Sequence, residues 1–203
     1  MSEGPPGRLL EIPNNRSEQV VAAAARLFGT RGYHQVGIDD IGLEIGISGP
    51  AVYKHFRSKH SILVGIFDRV VEHLLTEAQR IRAGTSDPAT ALDALIDLHL
   101  TLVVDHRAVV VVYDQEAPNL PAADRARLRR EMRRYVDEWI PPVAALRPDL
   151  DEPRARAAVH AVIRMAQSPA IFHTSLEPDA LTTLLSDMAR AALRDGHRPA
   201  RRS

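Results

Sequence analysis

The 203-residue chain has no cysteine, which excludes a disulfide framework and thiolate chemistry. It has no net charge, with 26 basic against 26 acidic residues, so there is no gross field to draw it to nucleic acid. Aromatic residues make up 4% of the chain, and Trp139 is the only tryptophan. No apolar run is long enough to span a bilayer and no secretory leader is legible, so a cytoplasmic protein with no membrane partner is expected. There is no Gly-rich phosphate loop, no Gly-x-Ser-x-Gly elbow and no His-Glu-x-x-His pair. The expectation is therefore that the protein is not an enzyme and needs no cofactor.

Glycine is also scarce where it would interrupt helices. Six of the eleven glycines fall between Gly29 and Gly49, and none lies between Gly84 and Gly196. The first stretch is broken into short pieces. Val20, Ala23, Ala24, Leu27 and Phe28 recur at helical spacing over 16–30. Ile38, Ile41 and Ile45 make a second, two-turn stripe, and Gly46 stands where a left-handed cap is needed. Ser48 has the side chain of an N-cap, Pro50 fits a first helical turn, and Val52 and Phe56 point inward together. A helix, a glycine turn and a second helix with two inward apolar residues make a helix-turn-helix, whose second helix offers its other face to a major groove. That face carries Ser48, Gly49, Ala51, Lys54 and His55.

The blocks GY, IDDIG, GIS and VYKHFRSK within Gly32 to Lys59 resemble the DNA-binding domain of the tetracycline-repressor (TetR/AcrR) family of bacterial regulators, over the first third of the chain. The resemblance implies that Tyr53 and Lys59 bind phosphates while Ser48, Ala51 and His55 face the groove, with Lys54 a further candidate. Two positions depart from the family pattern. Gly37 opens the second helix without a hydroxyl, though its amide remains, and Ser61 stands where the fourth helix, capped by Ser58, often has an acid. Each departure is expected to weaken a cap by about half to one kcal/mol. The recognition helix has no Arg, Asn or Gln, so base readout is expected to be sparse. Lys54 or His55 would supply the hydrogen bond to a guanine, Ala51 would touch a thymine methyl, and DNA shape would do the rest. Residues 1–60 hold seven basic and six acidic side chains. Tight binding is thus expected only from two copies acting together.

The remainder reads as helices punctuated by proline. Pro88 opens one through Asp105, Pro118 and Pro121 separate the next two, Pro141 and Pro142 end or kink the helix containing Trp139, and Pro178 opens the last. Residues 108–113, AVVVVY, have strand propensity but no partner strand, so a buried helix is expected. The fold class is all-α: a disordered arm over 1–13, a DNA-binding domain over 14–60, a helical ligand-binding and dimerisation domain over 61–195 and a disordered basic tail over 196–203.

Two C-terminal helices carry wide small or apolar stripes, with Ala158 and Val162 in one and Leu181, Leu184, Leu185, Met188 and Ala192 in the other. They are the candidate dimerisation residues, and the resemblance implies a homodimer on a palindromic operator. It also implies a small-molecule inducer, expected to be lipophilic with an anionic end such as a fatty acyl or acyl-thioester metabolite, held between the middle helices. Candidate contacts are His99, Leu102, Tyr113, Trp139, Arg164, Gln167 and Phe172. Most members repress; an activator, or a ligand-independent architectural DNA-binding protein, is the alternative. His99 and His106 lie seven apart and would share a helix face, but about 10 Å apart along the axis they would not share an ion, so no metal site is expected.

Overall fold

The computed structural model describes residues 15–170 and 174–195; the arm expected over 1–13, the tail expected over 196–203 and Phe172 lie outside the described residues. Among the described residues there is no strand. Nine α-helices are described: α1 (Arg16–Arg31), α2 (Ile38–Glu44), α3 (Gly49–Tyr53), α4 (Lys59–Gly84), α5 (Pro88–Asp105), α6 (Arg107–Glu116), α7 (Ala122–Leu146), α8 (Glu152–Gln167) and α9 (Pro178–Arg190). Short 3-10 turns follow α6 and α8, and a π turn, Ala191–Asp195, follows α9.

The chain divides into two compact units. One comprises residues up to His73 together with Asp105–Glu131; the other comprises Leu74–Val104 and the chain from Met132 onward. The first unit is therefore larger than a domain ending at residue 60. The cause is packing: Ile62, Leu63, Ile66 and Phe67 of α4 join Val20, Ala24, Phe28, Ile41 and Val52 in one core, and Val109 and Val112 of α6 close it. The valine-rich run is a helix because one face of α6 is buried there, which outweighs the β preference of valine. Gly29 of α1 permits the approach of α6, since a Cβ at that position would overlap the Ala108 side chain.

The second unit is built on α5, the latter part of α7, α8 and α9. Leu92, Leu95, Ile96, Trp139, Val143, Val159, Ile163, Leu185 and Leu193 are buried. Arg190 pairs with Asp93 at 3.0 Å and Asp97 at 3.3 Å, fastening α9 to α5. Of the two expected effects of Pro141 and Pro142, ending or kinking the helix, the first does not occur: α7 runs through both to Leu146. Trp139 and Val143 sit one turn apart and are fully buried; their burial offsets the two missing amide hydrogens.

Candidate nucleic-acid interface and effector site

The recognition element is fixed by its turn. Gly46 has φ of 69°, the left-handed conformation that a side chain disfavours, and Ile47 N–H donates to the Gly42 carbonyl at 2.9 Å to close the corner. Ile41 and Val52 are fully buried and hold α2 against α3. Ser48 occupies the N-cap of α3, and its carbonyl accepts from Ala51 N–H at 2.9 Å. Its hydroxyl makes no cap bond, so this exposed donor and acceptor is left for another partner.

The expected loss at α4 is made good by a neighbouring residue, whereas at α2 no side chain takes the place of the missing hydroxyl. Gly37 has no side chain to offer, but Asp40 accepts from its amide at 2.7 Å, the half of a capping box that needs no hydroxyl. At α4, Ser61 N–H donates to Ser58 Oγ and Ser58 N–H donates to Ser61 Oγ, each at 3.1 Å. Ser61 thereby makes the return bond of a capping box without an acid. Ser61→Ala is expected to cost about 1 kcal/mol, read as a fall in the urea midpoint at unchanged slope; an unchanged midpoint would mean the reciprocal bond contributes nothing.

The candidate groove residues do not share one environment. Tyr53 and Lys54 are exposed, Ala51 is half-buried, and Gly49 is buried against the Asp39 carboxylate, so Gly49 does not present a surface. His55 lies beyond the end of α3, and its Nδ1 is 3.2 Å from Ser17 Oγ, which ties it to the first turn of α1. Lys54 is thus the better placed of the two proposed guanine readers. Lys59, at the start of α4, holds its ammonium 4.3 Å from the Tyr33 ring centroid and 5.8 Å from that of Phe28. Burial lowers its pKa, and the Glu116 and Asp40 carboxylates oppose that shift.

Glu116 is a residue that the reading of the sequence missed. It is buried at the end of α6, and its Oε1 lies 3.0 Å from His34 Nε2. Tyr33, whose pKa is raised by burial and then by Glu116, completes the group. Glu116 therefore links α6 to the loop after α1 and to Lys59. The signal was present in the helical period: Val109, Val112 and Glu116 form one buried face.

The effector candidates are divided between the units. Tyr113 belongs to the first, where its ring meets Phe67 edge to face at 4.9 Å. The nearby cleft between α6 and α7, lined in part by Tyr113, Asp114 and Arg129, encloses about 200 Å³, below the size usual for a drug-sized ligand; its Arg125 is already bound to the Pro118 and Leu120 carbonyls. In the second unit His99 and Trp139 come together, with Leu102 also buried. Tyr135, one turn before Trp139, joins them, although the sequence had not marked it. Its hydroxyl is 3.3 Å from His99 Nδ1. The three ring centroids are 6.0, 6.3 and 5.9 Å apart. Arg164 does not join this cluster: it is exposed and donates to the half-buried Gln167 at 3.0 Å.

His99 and His106 do not share a helix, because α5 ends at Asp105 and His106 is the N-cap of α6. Among the described residues no three potential ligands gather around a metal position.

The candidate dimer residues also separate. Val162 and Leu185 are 5% exposed and belong to the chain's own core. Leu184 and Met188 are 48% and 46% exposed, Ala192 is exposed, and Leu181 and Ala158 are half-buried. The unpartnered face of α9 is thus narrower than the whole apolar stripe.

Residues 20–66 match the family model described as "Bacterial regulatory proteins, tetR family". The transcriptional activator FasR of Mycolicibacterium smegmatis is 32% identical over 84 residues, covering 41% of this chain and 38% of that protein. The transcriptional repressor KstR2 of the same organism is 29% identical over 146 residues, covering 68% of this chain and 71% of that protein. A solved structure of AibR in complex with isovaleryl coenzyme A and operator DNA aligns with a TM-score of 0.71 over 86% of this chain and 97% of that one, at 17% identity, a likeness of fold. No described helix is long and apolar enough to cross a membrane. Through its DNA-binding segment, residues 20–66, the chain belongs to the tetR family of bacterial regulatory proteins, and its helical second unit shares the fold of solved members.

Proposed function

We propose that the protein is a ligand-responsive repressor that binds a palindromic operator as a homodimer in the cytoplasm and leaves it when a lipophilic molecule, such as a fatty acyl thioester, enters the second unit. The observation that carries the DNA-binding part is the short α3, locked by Gly46 and Val52, with Tyr53 and Lys54 turned outward. Ligand response is supported by AibR, whose complex contains an acyl coenzyme A. Repression follows the named role of KstR2, which matches more of this chain than the activator FasR does.

In this reading Tyr53 and Lys59 hold phosphates, Ser48 and Lys54 face the groove, and Ala51 lies at its edge. Lys59 and the free amides at the start of α4 grip one strand together. The ring of Tyr33 and the carboxylate of Glu116 keep the ammonium in place, which links operator contact to the position of α6. Release needs a ligand that prefers the DNA-incompetent state; about 5.5 kcal/mol of preference carries the equilibrium from 99:1 to 1:99.

Fluorescence anisotropy with a selected operator at several salt concentrations tests the phosphate role. Lys59→Ala is expected to weaken binding to all operator variants alike and to lower the slope of log affinity against log salt by about 1 per bound site. An unchanged slope would remove Lys59 from the phosphate contacts.

A further inference from the structure

Three polar rings lie in the core of the second unit, and two of their nitrogens have no partner. Trp139 Nε1 and His99 Nε2 are buried without a hydrogen bond. The Ile163 carbonyl beside His99 and the Tyr135 hydroxyl beside Trp139 are near enough to exert a hydrogen-bonding influence on these rings, but neither meets the two nitrogens at full hydrogen-bond geometry. A buried N–H left unmade is costly, and natural cores rarely keep two together without a reason. When the Tyr135 hydroxyl donates to His99 Nδ1, Nε2 carries the ring hydrogen, and both orphans are donors.

The surroundings limit what these donors can receive. His99 and Ser186 are the buried polar side chains described in this unit; no lysine, arginine, aspartate or glutamate is buried there. Burial keeps His99 neutral at pH 7. A carboxylate entering this core would lose its water and meet no cation, whereas a neutral carbonyl would lose little and satisfy both N–H groups. The adjoining helix is also able to yield. Proline nitrogens at 141 and 142 carry no hydrogen, so the carbonyls of Asp137 and Glu138, beside Trp139, lack their usual helical donors.

We infer that His99, Tyr135 and Trp139 form the polar end of the effector site, and that it takes an uncharged carbonyl, as in a thioester, ester or ketone, on an apolar body. This rests on the reading of the protein as a ligand-responsive regulator and names the ligand chemistry of that site. It departs from the expected anionic end; Arg164, the cation among the candidate contacts, lies on the surface.

The test uses the full chain and Trp139 as the sole tryptophan reporter. Methyl decanoate, decanoate and decane are titrated separately, following tryptophan emission and melting temperature. The ester is expected to change the emission and to bind about tenfold or more tighter than either of the others. In His99→Phe, which keeps the reporter, the advantage over decane is expected to fall to about twofold. Trp139→Phe, read by melting temperature, is a second route to the same loss. Decanoate or decane binding as tightly as the ester, no response to the ester, or an ester preference that survives in both variants would each overturn the inference. Operator binding by the ligand-free protein is measured alongside. If it persists while the ester preference fails, the carbonyl site is wrong and the regulator stands; if operator binding is absent, the regulator reading fails.

Discussion

Leu184→Asp combined with Met188→Asp is expected to convert the protein to a monomer and to reduce operator affinity by about 100-fold or more, because a single DNA-binding unit loses the effective concentration provided by its partner. The two side chains are half exposed on the outer face of α9, while Leu185 and Ala189 of its inner face and Leu193 of the following π turn are buried in the core. Acidic residues at 184 and 188 therefore leave the intrachain packing in place but put charge in a contact between two copies, where an unpaired buried charge is strongly unfavourable. Sedimentation at micromolar concentration reads the oligomeric state, and circular dichroism checks that helix content is retained. A variant that remains dimeric with undiminished operator affinity would show that the two chains associate elsewhere.

Acid is expected to destabilise the second unit through His99 well before most carboxylates titrate. Burial pushes the imidazole from 6.5 down to about 4, with a weak opposing effect from the Ile163 carbonyl. Because the folded value is depressed, the unfolded chain takes up the proton first as pH falls. Stability is thus lost from about pH 6.5 downward, and the loss grows until the folded imidazole titrates near 4. Between pH 7 and pH 5 it should amount to about 2 kcal/mol. His99→Phe removes the group, so the stability difference between wild type and variant, measured in urea at fixed protein concentration, should change by that amount over the interval. Parallel pH profiles would mean that the ring is not held neutral by burial.

The helices were legible because helical periodicity and proline punctuation agree. Pro88 and Pro178 open α5 and α9, and Gly46 marks the turn before α3. What was not legible depends on partners distant in sequence. The proline pair in α7 looks like a terminator until Trp139 and Val143 are seen to be buried on either side of it. Tyr113 reads as a candidate ligand contact, but only the fold shows that its ring meets Phe67 in the first unit. An apolar stripe on α9 does not reveal which half its own chain covers, so Leu185 and Leu184 are indistinguishable until the core assigns them. Ser61 looked like a missing acid because the pattern specified a residue type, whereas the cap needs only an acceptor at the right distance.

The same limits apply to the recognition site. Its outline was readable as a motif, but the tie of His55 to Ser17 and the seat of Gly49 on Asp39 arise from side chains outside α3. On the proposed reading they leave an even smaller base-reading surface than the composition implied, centred on Ser48 and Lys54. A surface so small would give little discrimination alone, and the proposed reading therefore puts specificity in the pairing of two copies and in DNA shape.

Selection of bound sites from random duplex DNA by the full-length protein tests this most directly. The account predicts a palindrome whose half-sites are centred about 34 to 36 Å apart, or one helical turn, or a multiple of it, with few invariant bases in each half. Recovery of a single unrepeated site, or no enrichment over random sequence, would contradict it.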